Sequence, residues 1–186
     1  MVTTSCDYNR ILLLGISCST VMANASHSSM LEIALLQQTW KGFENLCRQS
    51  GYDVFKAWKK ELQVVSLQLR KQLMYLNIAP KISNDAPTTN LLTFATAEAE
   101  NDQRVLKCKG TTYGDSWKKR GGIGAFMMLC RKWDRIENIM GCSSGSGTLA
   151  ILRNNTGDVQ DDIADLRRYL LLVEDEMAAV ASGEVP

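Results

Sequence analysis

Four carboxylates are spaced along this chain in a way that could grip a hard cation. Glu98 and Asp102 stand four apart in "NLLTFATAEAENDQRVLKCKG", and Asp162 and Asp165 stand three apart in "DDIADLRRYLLL". On a helix either interval puts both acids of a pair on one face. Each pair also lies on or beside an apolar stripe, with Leu91, Ala95 and Val105 for the first and Ile163 and Leu166 for the second. Acids converging from two facing helices are how a helical bundle builds an oxygen-lined site for magnesium. The plainer reading is that Asp158, Asp161 and Asp162 favour the first turn of a helix and that "AEAEND" is a solvated face. Asp165, one turn further on, is the acid that capping explains least.

A second group is cationic. Lys118, Lys119 and Arg120 precede the glycines of "KKRGGIG", and Arg131, Lys132 and Arg135 follow on the helix those glycines open. A helix start carries partial positive charge, so cations there are poorly placed unless an anion joins them. Glycine lets backbone N–H groups approach such an anion, which makes Lys118, Arg120 and Gly122 one half of an expected phosphate site. Lys132 and Arg135, three apart and further along the helix, form the other half. Tyr113 and Trp117, interleaved with these charges, offer surfaces for a nucleobase. Against this stand a surface ion-pair network for the cations and a core role for each aromatic. Neither a Walker A pattern nor G-x-G-x-x-G is present.

The elements that must carry these residues are helices. Apolar residues recur at steps of three and four from Leu31 to Leu46 and from Val54 to Leu76, which predicts a helical hairpin with N-cap candidates in "SHSSM". A third helix carries Leu92, Ala95, Ala99 and Leu106 and is expected to end at Gly110. A fourth runs from about Ile123 to Met140 and stops at "GCSSGSG". The last begins with Asp158 as N-cap and bears the stripe Val159, Ile163, Leu166, Leu170, Val173 and Met177. The expected fold is mostly α, a bundle of about five helices, with "RILLLGIS" and "TLAIL" as the two segments suited to short strands. The proline-bearing stretch "NIAPKISNDAPTTN" predicts a boundary, with a helical hairpin region in residues 1–88 and a nucleotide-handling domain in residues 89–186.

With 186 residues, 45% of them hydrophobic, the chain can bury a substantial core. Its formal net charge of +1 argues against a protein that coats extended nucleic acid. The apolar run Ile11 to Ile16 has six residues, too few to span a bilayer and short for a signal. Six cysteines without a C-x-x-C pair, and one histidine near none of them, do not make a zinc site and fit reduced cysteines in a cytoplasmic protein.

The order "YGDSW", "RKWDRIEN", "DDIADLRRYLLL" over residues 91 to 178 resembles the phage and bacterial nucleotide modification associated domain and, more loosely, the all-α nucleoside triphosphate pyrophosphohydrolases of the MazG-like class. The resemblance implies magnesium held by Glu98 and Asp102 on one helix and Asp162 and Asp165 on another, with Asp162 in the place of the usual glutamate. It also implies that Lys132, Arg135 and Asp165 act on the phosphates, with Tyr113, Gly114 and Trp117 on the base or sugar side.

Together these readings predict a magnesium-dependent (deoxy)nucleoside triphosphate pyrophosphohydrolase, cytoplasmic in a bacterium or phage-infected cell, able to self-associate and linked to nucleotide pools for modified DNA. The alternative is a non-catalytic binder of nucleotides or cyclic nucleotides, or an accessory subunit of a DNA-modifying complex. It needs the cations and aromatics but not a metal.

Overall fold

The computed structural model describes residues 25–79, 88–142, 148, 150–152 and 157–183. Its architecture is mostly α, and among the described residues there are no strands. Five long helices carry the fold: α1 (Ala25–Arg48), α2 (Lys60–Ile78), α3 (Thr88–Tyr113), α4 (Gly121–Cys142) and α5 (Asp158–Ser182). The segment "RILLLGIS" lies outside the described residues. In "TLAIL", residues 148 and 150–152 are helical, so the expected strand there gives way to helix.

Apolar periodicity explains why each helix is buried where it is. Leu36, Trp40, Phe43 and Cys47 of α1 fall on one stripe, as do Leu62, Leu69, Leu73 and Leu76 of α2. On α4 the buried line is Phe126, Leu129, Trp133, Ile136 and Met140, and on α5 it is Val159, Ile163, Leu166, Leu170 and Val173. These four stripes join into one core. The expected boundary at residue 88 therefore separates segments that share that core. Trp40 stacks on Trp133 with ring centroids 4.8 Å apart and planes 9° from parallel, tying α1 to α4.

Helix α5 is the hub, packing on α2, α3 and α4, while α1 packs on α2. Cross-helix pairs fix the register. Lys118 meets Glu176 while Lys132 meets Asp162, so α4 and α5 run antiparallel; Arg70 meets Glu174 while Asn77 meets Gln160, so α2 and α5 do too.

Several expected helix ends move. Helix α1 has already begun at Ala25, which puts "SHSSM" inside it instead of at its cap. Val54 and Trp58 sit in the turns before α2, although Val54 is fully buried there. Helix α3 continues past Gly110 to Tyr113, and Gly114 ends it with φ +52°, the left-handed conformation glycine adopts readily. Asp158 is the first helical residue of α5, and the cap is Gly157, which makes no side-chain capping bond.

Among the described residues, no helix is long and apolar enough to cross a membrane. Cys47, Cys108 and Cys130 are free thiols. Burial pushes Cys47 and Cys130 up to about 12, so both stay protonated at neutral pH and behave as small core hydrophobes.

Candidate functional site

The two acid pairs do meet, but around the protein's own cations. On α3, Asp102 lies one turn beyond Ala99 on the buried stripe and has no exposed surface. On α5, Arg167 takes the same kind of position, four residues after Ile163 and three before Leu170, and is equally buried. The Arg167 guanidinium donates through Nε to Asp102 Oδ2 at 2.5 Å and through Nη2 to Asp102 Oδ1 at 2.9 Å. This is a bidentate pairing. Nη2 also reaches Glu98 Oε1 at 3.0 Å, and Nη1 donates to Asn77 Oδ1 from α2. Asn77 is oriented in turn by Gln160, whose Oε1 accepts its Nδ2 at 2.6 Å. Three helices thus close an inner layer around one buried cation.

An outer layer continues toward solvent. Arg168 spans the two layers, donating to Asp102 Oδ1 at 2.8 Å and to Asp165 Oδ1 at 3.1 Å. Lys132 of α4 sets its ammonium between the two α5 carboxylates, 2.8 Å from Asp162 Oδ1 and 3.0 Å from Asp165 Oδ2. Arg135 adds Nη1 to Asp162 Oδ1 at 3.2 Å, and Lys109 of α3 adds Nζ to Asp165 Oδ1 at 2.9 Å. The side chains of Arg135 and Lys109 remain 52% and 47% exposed, so the layer opens to water on their side.

The electrostatics follow from this geometry. Burial by itself would lower the Lys132 pKa, but hydrogen bonds to Asp162 and Asp165 outweigh it and hold the ammonium above its ordinary value of 10.5. Burial by itself would raise Asp165, but hydrogen bonds from Lys109 and Lys132 outweigh it and hold the carboxyl below 3.8. Lys132 and Asp165 are therefore both ionised across the physiological range.

Magnesium does not fit these donors as they stand. Asp102 and Asp162 each answer to two cations and Asp165 to three, and among the described residues no group of three or more His, Cys, Asp or Glu is placed to hold a metal ion. The expected ligand set Glu98, Asp102, Asp162 and Asp165 is instead the acidic half of an ion-pair network.

The two expected halves of the phosphate site are also far apart. Lys118 is held by Glu176 and Lys132 by Asp162, and these partners are fourteen residues apart on α5, roughly 21 Å at 1.5 Å per residue. One triphosphate cannot bridge them. Trp117 packs edge-on against Phe55, with centroids 6.1 Å apart, and belongs to the core. Tyr113 is exposed and, with Asp115, Ser116, Lys118 and Lys119, borders a shallow open depression of about 540 Å³. Lys119 and Arg120 are exposed.

The glycine turn is filled from within the chain. A Cβ on Gly122 would lie 1.9 Å from Asp53 Oδ1 and 2.8 Å from the Phe55 backbone nitrogen. Glycine is required because the α1–α2 turn presses against the start of α4, where the Val54 N–H donates to the Gly122 carbonyl at 3.3 Å. The anion beside that helix start is the carboxylate of Asp53, a favourable charge for the dipole.

The structure brings Lys132, Arg135, Asp162 and Asp165 together, and sequence reasoning missed Arg167, Arg168, Lys109, Asn77 and Asp53. Arg167 carried a signal, since it interrupts an apolar stripe on one helix just as Asp102 does on another. No family model matches the chain, and neither a curated protein nor a solved structure matches it.

Proposed function

We propose that this protein captures the phosphate groups of a nucleotide at the outer layer, where Lys109, Lys132, Arg135 and Arg168 gather beside Asp162 and Asp165. The carrying observation is Arg135. Its contact with Asp162 runs through Nη1 alone, and the side chain is half exposed at the edge of a cluster in which Lys132 and Arg168 are far less exposed. A guanidinium presents its donors as a planar fork matched to phosphate oxygens. Lys109, with one carboxylate partner and half its side chain in solvent, flanks the same opening.

A second reading is the magnesium-dependent pyrophosphohydrolase, and one observation favours it. Lys132 shows that Asp162 and Asp165 can grip a single cation together. Hydrolysis would require the carboxylates to exchange their lysine and arginine partners for metal, and no step through the metal follows from the present arrangement. Capture without chemistry is the function the geometry supports better.

Calorimetric titration with a panel of nucleoside mono-, di- and triphosphates, with and without magnesium and with pyrophosphate release monitored, tests both. Capture predicts saturable binding that falls at least about tenfold in Arg135→Ala, the loss of one charge-assisted contact. Absence of binding across the panel sinks the proposal. Release of pyrophosphate that depends on Asp165 establishes the second reading.

A further inference from the structure

We propose that Lys132 is a built-in counter-ion: its ammonium takes the position between Asp162 and Asp165 that a divalent cation would otherwise take, so the outer layer receives phosphate without a divalent metal. This rests on the capture reading and adds the ionic form of the ligand.

Distance is the first ground. The Lys132 ammonium sits 2.8 and 3.0 Å from the two carboxylate oxygens, whereas magnesium draws its oxygens to about 2.0–2.1 Å and demands octahedral order. Refitting the pair to magnesium means expelling a tethered cation and moving the side chains together. Charge is the second ground. Among the described residues, Lys109, Lys132, Arg135, Arg167 and Arg168 face Glu98, Asp102, Asp162 and Asp165, five positive groups against four negative. A dication meets a cluster already in positive surplus, whereas an incoming phosphate relieves that surplus. Third, the remaining partners stay. With Lys132 displaced, Asp162 still holds Arg135, and Asp165 still holds Lys109 and Arg168. A metal would enter among three fixed cations.

The test uses the full chain and two probes, manganese alone and inorganic pyrophosphate. Manganese is followed by the electron paramagnetic resonance signal of the free ion. The expected result is no saturable binding in the submillimolar range. Pyrophosphate is titrated calorimetrically, and its affinity should be equal or weaker when magnesium is supplied, because the metal complex carries less charge. The Lys132 ammonium resonance, observed by nitrogen NMR, should move on adding pyrophosphate and stay still on adding magnesium.

One-to-one submillimolar manganese binding that Asp162→Asn abolishes overturns the inference, as does pyrophosphate binding that appears only with magnesium. Should pyrophosphate bind under neither condition, the capture reading falls. The manganese titration and the response of the Lys132 resonance to magnesium then decide the counter-ion by themselves. The pyrophosphate titrations and the Lys132 resonance are measured on the unmodified protein, so they do not depend on a variant folding.

Discussion

The inner and outer layers of the network use the same chemistry to opposite ends. Around Arg167, the guanidinium and the Asp102 carboxylate are removed from water, and Asn77 of α2 and Asp102 and Glu98 of α3 are among the partners that hold it. Around Lys132, the contacts are of similar length, but the layer is bordered by Arg135 and Lys109, whose side chains reach solvent. A buried ion pair is costly to break because the surviving partner is stranded in low dielectric. A pair at the surface can exchange partners with water, salt or a ligand for little. Depth therefore separates the structural layer from the one proposed to bind a ligand. The inner layer fixes how three helices meet, and the outer layer is where the proposed ligand would enter.

Breaking the inner layer is expected to have the largest effect. Arg167→Met removes the cation shared by Asp102, Glu98 and Asn77, and the cost should be about 3–5 kcal/mol, typical of one partner lost from a buried pair. Urea denaturation measures it. A loss below about 1 kcal/mol would place Arg167 with the surface pairs and erase the distinction between the layers.

Lys132→Met probes the outer layer and should cost less, about 1–2 kcal/mol, since Arg135, Lys109 and Arg168 still serve the two carboxylates. The same denaturation experiment yields the ratio of the two losses. Equal losses would mean that Lys132 is as structural as Arg167 and would remove the basis for treating the outer layer as a site.

How much of this was legible in the sequence depends on the range of the information needed. Helix existence and the buried stripes of α4 and α5 follow from local periodicity, and Asp102, Asp162 and Asp165 were placed near inward faces by the same means. The pairing of Lys118 with Glu176 and of Lys132 with Asp162 depends on the antiparallel register of α4 and α5, which no local pattern encodes. The distance of the loop cations from Lys132 and Arg135, by contrast, follows from the rise of α4 itself, about 1.5 Å per residue. Asp53 was hidden for a related reason, since its contact with Gly122 joins a turn to a helix start nearly seventy residues later in the chain. The glycines of "GGIG" suggest room for a phosphate at a helix start, whereas at Gly122 what approaches is the protein's own backbone and carboxylate.

Salt should divide the layers next. Raising ionic strength from about 0.01 M to 1 M shortens the Debye length from roughly 30 Å to 3 Å, which weakens exposed charge interactions and leaves buried ones nearly unaffected. The stability difference between the parent and Lys132→Met should shrink over that range, while the difference between the parent and Arg167→Met should hold. Parallel shrinkage in both would show that water and salt reach Arg167.

The smallest effect is the response to pH, and its direction follows from the two shifted groups. The Asp165 carboxyl is held below 3.8 in the folded protein, so between its folded value and 3.8 the unfolded chain binds more protons. Its contribution to stability is complete above that window and lost as pH falls through it. The Lys132 ammonium is held above 10.5, so between 10.5 and its folded value the folded protein binds more protons. That contribution is complete below 10.5 and lost as pH rises. The outer layer should accordingly add a constant increment across the neutral range, with one edge below pH 3.8 and the other above pH 10.5. Subtracting the stability profile of Lys132→Met from that of the parent isolates the alkaline edge. A difference that already declines between pH 7 and 9 would mean that Lys132 loses its proton early, and the carboxylates of α5 would then stand without their counter-ion under the conditions in which a ligand must bind.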